Sequence, residues 1–279
     1  MTARLLVIPT PIGNLGDITM RALEYLSAAD VVYAEDTRRT GVLLQHFGIK
    51  KPLRSLFVGN ERARSDAALS ELLAGRTVAL VSDAGTPGIS DPGAILIQAA
   101  IAQGIPVEAL PGPQAMLPAL LLSGLPPAPF AFLGFLPRTR TQRRAALADT
   151  AGLALTLVFY EAPHRLAAML ADCSAVLGER PAAVVREISK LHEEARRATL
   201  GELAAWAKEE PPRGEIVVVV GGAPKSPREL ETVNLADFVA QGIARGETPA
   251  AIARAAKSYG HTRQEAYREA LRQSGKSDG

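Results

Sequence analysis

Short apolar, β-branched runs recur along the chain and alternate with longer stretches in which apolar residues return every three or four positions. The short runs predict strands at Leu5–Ile8, Val31–Ala34, Val78–Val81, Pro106–Leu110, Ala131–Phe135, Leu155–Tyr160, Ala182–Arg186 and Ile216–Val220. The longer stretches predict helices such as Met20–Ala29, Arg62–Leu73, Ala94–Gln103, Arg165–Leu177 and Gly201–Glu209. Strands that are apolar at nearly every position belong to sheets covered on both faces. Their alternation with helices makes the class α/β.

The pattern breaks twice. Within Leu117–Pro129, Pro126, Pro127 and Pro129 cannot continue a helix or a central strand. A hinge is expected there between two α/β domains, residues 1–117 and 118–224. After the proline- and charge-rich Gly222–Arg228 the strand-like runs stop. Residues 230–275 read as a helical appendix of about three helices, with a helix-turn-helix look. In it Thr248-Pro249 reads as N-cap and first-turn proline, Gly260 as a stop, and Thr262 with Glu265 as a capping box. The tail Ser274–Gly279 is expected to be disordered.

Composition narrows the class without deciding the function. No apolar run approaches the roughly 20 residues of a membrane span. Met1–Leu6 leads directly into a strand, with no cleavage site for a signal peptide. The single Cys173 excludes an internal disulfide and suits the cytoplasm. His46, His164, His192 and His261 lack metal-ligand spacing, so no metal is expected. A net charge of +2, from 31 basic and 29 acidic residues, is too mild to imply nucleic acid. Any such contact must come from local grouping. Arg138, Arg140, Arg143 and Arg144 form the densest group.

The candidate chemistry lies where strands end. The first strand runs into Pro9-Thr10-Pro11-Ile12-Gly13-Asn14-Leu15-Gly16-Asp17, a rigid loop that is either a ligand contact or a strand-to-helix connection. Its spacing is not the dinucleotide-binding glycine pattern. The second ends in Glu35-Asp36-Thr37-Arg38, whose carboxylates could hold a ribose, orient Arg38, accept a proton, or simply start a helix. The third ends in Ser82-Asp83-Ala84-Gly85-Thr86-Pro87-Gly88-Ile89-Ser90-Asp91-Pro92-Gly93. A loop with so little bulk is costly to order unless it holds a ligand; Asp91-Pro92 can cap the helix that follows. The fourth ends in Pro111-Gly112-Pro113-Gln114-Ala115. Four such loops converging on one sheet edge point to a binding site there. Further along, Phe159–Arg165 and Arg186–Glu194 also follow strands and are dense in proton-transfer and anion-binding groups.

Taken in order, Val7–Leu15, Ala34–Arg38, Ser82–Gly93, Pro111–Pro113, Phe159–Arg165, Arg186–Glu194 and Gly214-Glu215 resemble the tetrapyrrole-methylase-like methyltransferases. Within them the chain is most similar to the bacterial enzymes that methylate a cytidine 2′-hydroxyl of 16S ribosomal RNA. The resemblance implies two α/β domains with S-adenosylmethionine in the cleft between them, usually as a homodimer. By position, it implies cofactor contacts at Pro11, Ile12, Ser82, Asp83, Ala84, Gly88, Ile89, Ser90, Gln114, Ala115, Phe159 and Tyr160. Gln114 departs from the small residue usual there. The small ribosomal subunit would be the partner, landing on Arg138, Arg140, Arg143, Arg144 and Arg165.

A ribose hydroxyl is a poor nucleophile, so the reaction needs a base or a cation beside it. Glu35, Asp36, Glu161, Glu187 and Lys190 are candidates. The expected arrangement sets Glu187 and Lys190 opposite Asp36 and Arg38, although each could instead belong to an ion pair between domains.

Overall fold

The structure, a computed structural model, describes residues 3–224, 234–256, 259 and 261–274. Gly260, most of the Gly222–Arg228 break and the tail beyond Ser274 lie outside the described residues.

The first sheet is wholly parallel. Its strands are β1 (Leu5–Val7), β2 (Val31–Ala34), β3 (Leu53–Ser55), β4 (Val78–Val81) and β5 (Val107–Ala109), in the order β3-β2-β4-β1-β5. Side chains alternate between the faces of a strand, so a strand apolar throughout feeds two cores. Leu5, Val7, Val31, Tyr33, Val78 and Leu80 face α3 (Glu61–Leu73) and α4 (Ala94–Ala102). Leu6, Ile8, Val32, Ala34, Ala79 and Val81 face α1 (Met20–Ala28) and α2 (Thr37–His46). Because every strand runs the same way, all five carboxyl ends open on one edge.

The second sheet is mixed. It contains β6 (Phe130–Phe135), β7 (Thr156–Glu161), β8 (Pro181–Arg186), β9 (Glu194–Thr199) and β10 (Ile216–Val220), in the order β6-β7-β10-β8-β9. Only β6 and β7 run parallel. One face packs Leu157, Phe159, Val184 and Val218 under α6 (Arg140–Ala148), α7 (Pro163–Leu177) and α8 (Leu200–Glu209). The other face gathers Val158, Val185, Val217 and Val219 with Ala119 and Leu120 of α5 (Met116–Ser123). Ile12, from the loop after β1, joins this second core.

Two strands escaped the hydrophobic pattern for physical reasons. β3, Leu-Arg-Ser, is a three-residue edge strand, and β9 is a charged edge strand without an apolar run. The expected break at Leu117–Pro129 is helical over its first half, as α5. Pro118 occupies the first turn, where its missing N–H has no intrahelical acceptor to lose. Gly124, left-handed at φ 73°, ends the helix ahead of the three prolines.

The chain divides into two compact units, Met1–Ala223 and Pro224–Gly279. The second packs α9 (Leu235–Ala244), α10 (Pro249–Ala256) and α11 (Arg263–Gln273) around Phe238, Val239, Ile252, Ala266 and Ala270. Thr248 accepts the Ala251 N–H at 3.3 Å, and the Thr262–Glu265 capping box forms. Among the described residues no helix is long and apolar enough to cross a membrane.

Candidate active-site cleft

A cleft of about 690 Å³ opens at the carboxyl edge of the parallel sheet. One wall is built from the loops after β1, β2, β4 and β5: Ile12, Glu35 and Arg39, Asp83–Thr86, Ile89–Asp91, and Gln114–Met116. The opposite wall comes from the second sheet: Phe135, Tyr160, Glu161, Ile188 and Gly214–Val217. The first and third loops are stitched together. Thr10 and Gly85 exchange two backbone hydrogen bonds of 2.9 Å, and the Thr10 hydroxyl donates to the Ser82 carbonyl at 3.0 Å. Backbone twists that favour glycine shape the long loop: Gly85 and Gly88 lie at φ 80°, and Ser90 adopts a left-handed φ of 63°. At Gly93 a Cβ would sit 2.7 Å from Leu80 Cδ2, so only glycine lets the loop turn into α4.

Eight of the twelve expected cofactor contacts line the cleft: Ile12, Asp83, Ala84, Ile89, Ser90, Gln114, Ala115 and Tyr160. Pro11, Ser82, Gly88 and Phe159 do not. Ser82 is buried and donates to the Gly85 carbonyl at 3.2 Å, holding the loop from behind. Phe159 is fully buried on the far face of β7, because residues adjacent to the cleft-facing Tyr160 must point the other way. Tyr160 meets Phe132 edge-on at 4.8 Å between ring centroids and Phe135 at 5.7 Å.

The expectation for Asp91 needs correction. α4 starts at Ala94 behind Gly93, with no side-chain cap, and Asp91 turns into the cleft. Burial, together with the nearby Glu35 and Asp83 carboxylates, raises it from 3.8 to about 7. Burial and the Asp83 charge also raise Glu35, against a hydrogen bond from the Asp83 N–H.

Asp36 and Arg38 stand outside the cleft lining. Asp36 caps α2, accepting the Arg38 N–H at 2.8 Å and its guanidinium at 2.7 Å, which holds the carboxyl at about 2. The Arg38 side chain is 89% exposed. It is Arg39, one position on, that enters the wall, donating to Asp83 at 3.0 Å.

Glu187 and Lys190 also stand outside the cleft lining, beside the lining residues Ile188 and Glu215. Glu187 accepts from Lys190 Nζ at 2.9 Å and from the Glu215 N–H at 3.0 Å, while Lys190 also reaches Glu215 at 3.2 Å. The Lys190 stem lies against Gly13 so closely that no Cβ would fit there, tying the loop after β8 to the loop after β1. These hydrogen bonds lower Glu187 and, outweighing burial, raise Lys190, so both are ionised at neutral pH. Across the cleft Arg39 feels the Glu215 charge. Of the two loops expected to oppose each other, Glu35 and Arg39 from the one after β2 and Ile188 from the one after β8 line the same cleft, while Asp36, Arg38, Glu187 and Lys190 do not.

The arginine cluster separates into two kinds. Arg143 is buried and donates to Asp172 Oδ2 through Nε at 2.8 Å and Nη2 at 2.6 Å. A buried carboxylate requires such a partner, which corrects the expectation that Arg143 meets RNA. Arg165 is corrected similarly: its Nη2 donates to the Leu136 carbonyl at 2.7 Å and its Nε lies 3.2 Å from Glu161. Arg138 and Arg140 remain exposed, and Arg144 is 39% exposed although its Nε reaches Asp172 at 2.6 Å. Lys257, a basic residue of the C-terminal appendix, lies outside the described residues.

The family model for Tetrapyrrole (Corrin/Porphyrin) Methylases matches residues 4–204. The chain belongs to this family. It is 44% identical to "Ribosomal RNA small subunit methyltransferase I" of Escherichia coli O157:H7 over 98% of this chain and 96% of that one. It is 47% identical to the protein of the same name from Halalkalibacterium halodurans, over 78% of this chain and 75% of the other. In fold it is similar to a Thermus thermophilus uroporphyrin-III C-methyltransferase complexed with S-adenosyl homocysteine. The TM-score is 0.57 at 22% identity, covering 78% of this chain and 97% of that one. A cobalt precorrin-4 methyltransferase superposes with a TM-score of 0.58 at 18% identity, covering 78% and 95%.

Proposed function

We propose that this protein methylates the ribose 2′-hydroxyl of a cytidine in 16S ribosomal RNA, in the decoding region of the small subunit. The carrying observation is the end-to-end likeness to a ribosomal RNA small subunit methyltransferase, at 44% identity over 98% of the chain.

The methyl donor is S-adenosylmethionine, and the cleft suits it chemically. The volume matches a ligand of that size. Ile12, Ile89, Met116, Val217 and Tyr160 offer apolar surface for an adenosine ring system. Glu35, Asp83 and Asp91 offer negative charge for an ammonium and a sulfonium. Bound there, the donor supplies an electrophilic methyl group.

The protein's own part is alignment and charge. Lys190, held ionised by Glu187 and by the cleft-lining Glu215, is the cation assigned to draw electron density from the acceptor hydroxyl. Glu187 positions that ammonium. Asp36 fixes the start of α2 and leaves the exposed Arg38 beside it to meet a phosphate. Arg138, Arg140 and Arg144 supply the landing surface. Residues 1–117 act as the cofactor half and 118–224 as the acceptor half. We also propose that the protein works in the cytoplasm as a homodimer.

The test is transfer of labelled methyl from S-adenosylmethionine to small subunits from a host lacking the enzyme, with the product nucleoside identified by mass spectrometry. Label in 2′-O-methylcytidine is the expected result. Protein that binds the cofactor yet labels no RNA refutes the assignment.

A further inference from the structure

A second cavity, of about 660 Å³, lies beside the cleft and shares Phe135 and Ala162 with it. Its floor is apolar, formed by Phe135, Leu136, Pro137 and Ala162, and its rim carries the exposed Arg138 and His164. Arg165 closes one side with its guanidinium committed to the Leu136 and Pro137 carbonyls, which fixes the wall. At the junction Phe135 is 53% exposed, its ring edge-on to Tyr160. Core packing does not account for an aromatic ring left open between two cavities. Apolar surface rimmed by charge marks a place where something binds.

The complementary ligand has a flat π face and a neighbouring negative charge, which describes one nucleotide of single-stranded RNA. Continuity with the cleft says which nucleotide. A ribose hydroxyl can reach the methyl donor only if its nucleotide leaves the stack, and the displaced base then needs a seat within one ribose's reach.

We propose that this cavity holds the base of the methylated nucleotide, stacked on Phe135, with flanking phosphates on Arg138 and His164 while its ribose passes Ala162 into the cleft. The inference rests on the RNA reading above. It adds Phe135 and His164 to the acceptor site.

The test compares wild type with Phe135→Ala, Phe135→Tyr and His164→Ala on unmethylated small subunits, with S-adenosylhomocysteine affinity measured by calorimetry. Phe135→Ala is expected to lower kcat/KM for RNA at least tenfold, Phe135→Tyr to restore most of it, and His164→Ala to raise KM severalfold. S-adenosylhomocysteine affinity should stay within twofold of wild type in His164→Ala, which lies outside the cleft lining, and should fall by much less than the RNA kcat/KM in Phe135→Ala, whose ring borders both cavities. A short RNA carrying 4-thiouridine at the methylated position should photo-crosslink to the 130–138 segment. Normal RNA kinetics in Phe135→Ala, an equal loss of S-adenosylhomocysteine affinity, or a crosslink mapped elsewhere would each overturn the base seat while leaving the RNA reading intact. Absence of transfer by wild type overturns both.

Discussion

Replacing Asp91 by asparagine is expected to remove the pH dependence of cofactor affinity. In the free protein the Asp91 carboxyl is raised from 3.8 to about 7 by burial and the charges of Glu35 and Asp83, with the Ser82 hydroxyl opposing. The folded protein therefore holds a proton that the unfolded chain has released, and its stability falls as pH rises from about 4 to about 7. A cationic ligand reverses this cost by favouring the ionised carboxyl. S-adenosylmethionine brings a sulfonium and an ammonium, so binding below neutrality should expel the proton. Affinity should then climb with pH and level off above about 7. Full return of the carboxyl to its ordinary range would correspond to about 4 kcal/mol, an upper limit. In a cleft that stays partly hydrated a third to two-thirds of that is expected, or roughly ten- to hundredfold in Kd between pH 5 and 7.5. Calorimetric titration across that range, repeated in two buffers of different ionisation enthalpy, reads both affinity and proton release. Asp91→Asn should show neither the slope nor the proton. Glu35→Gln should move the midpoint to lower pH, since it removes one of the charges acting on Asp91. A flat wild-type profile, or an unchanged slope in Asp91→Asn, would refute the reasoning.

Other perturbations follow from the same geometry. Asp172→Ala strands the buried Arg143 and should cost about 3–5 kcal/mol in urea unfolding; because arginine hydrogen bonds hold Asp172 low against its burial, the wild-type contribution should fade as pH drops below about 4. Lys190→Met should lower kcat for RNA about a hundredfold with S-adenosylhomocysteine affinity unchanged, and a normal kcat would remove Lys190 from the reaction. Arg138→Gln should weaken RNA binding and reduce the salt slope by about one, whereas Arg143→Met, in protein shown to be folded, should leave that slope unchanged. Gly112→Ala puts a Cβ 2.8 Å from Pro9 Cβ, so it should push two cofactor loops apart and weaken cofactor binding in calorimetry.

How much of this was legible beforehand depended on the range of the interactions. β2, β4 and β10 match their predicted bounds because each is a buried apolar run whose pattern is local. β3 and β9 carry no such signal, since an edge strand is held by backbone pairing with a partner distant in sequence. The loops after β1, β2, β4 and β5 could be recognised as one site because parallel strands send their carboxyl ends to the same edge. Asp91 illustrates the limit: in sequence it precedes proline like a helix cap, and only burial beside Glu35 makes it a titrating wall of the cleft. Tyr160 and Phe159 are neighbours in the chain, and the pleat alone decided that one faces the cleft and the other the core.

The sequence by itself determined the class, the loops and the chemistry on offer, because hydrophobic period, glycine and proline placement, and residue type act over a few positions. The tertiary structure decided which carboxylate each charge meets. Arg38 pairs with its near neighbour Asp36 while Arg39 reaches Asp83 in the cleft wall, and Arg138 stays exposed while Arg143 meets the buried Asp172. Desolvation and charge pairing depend on distances through space that the order of residues does not contain.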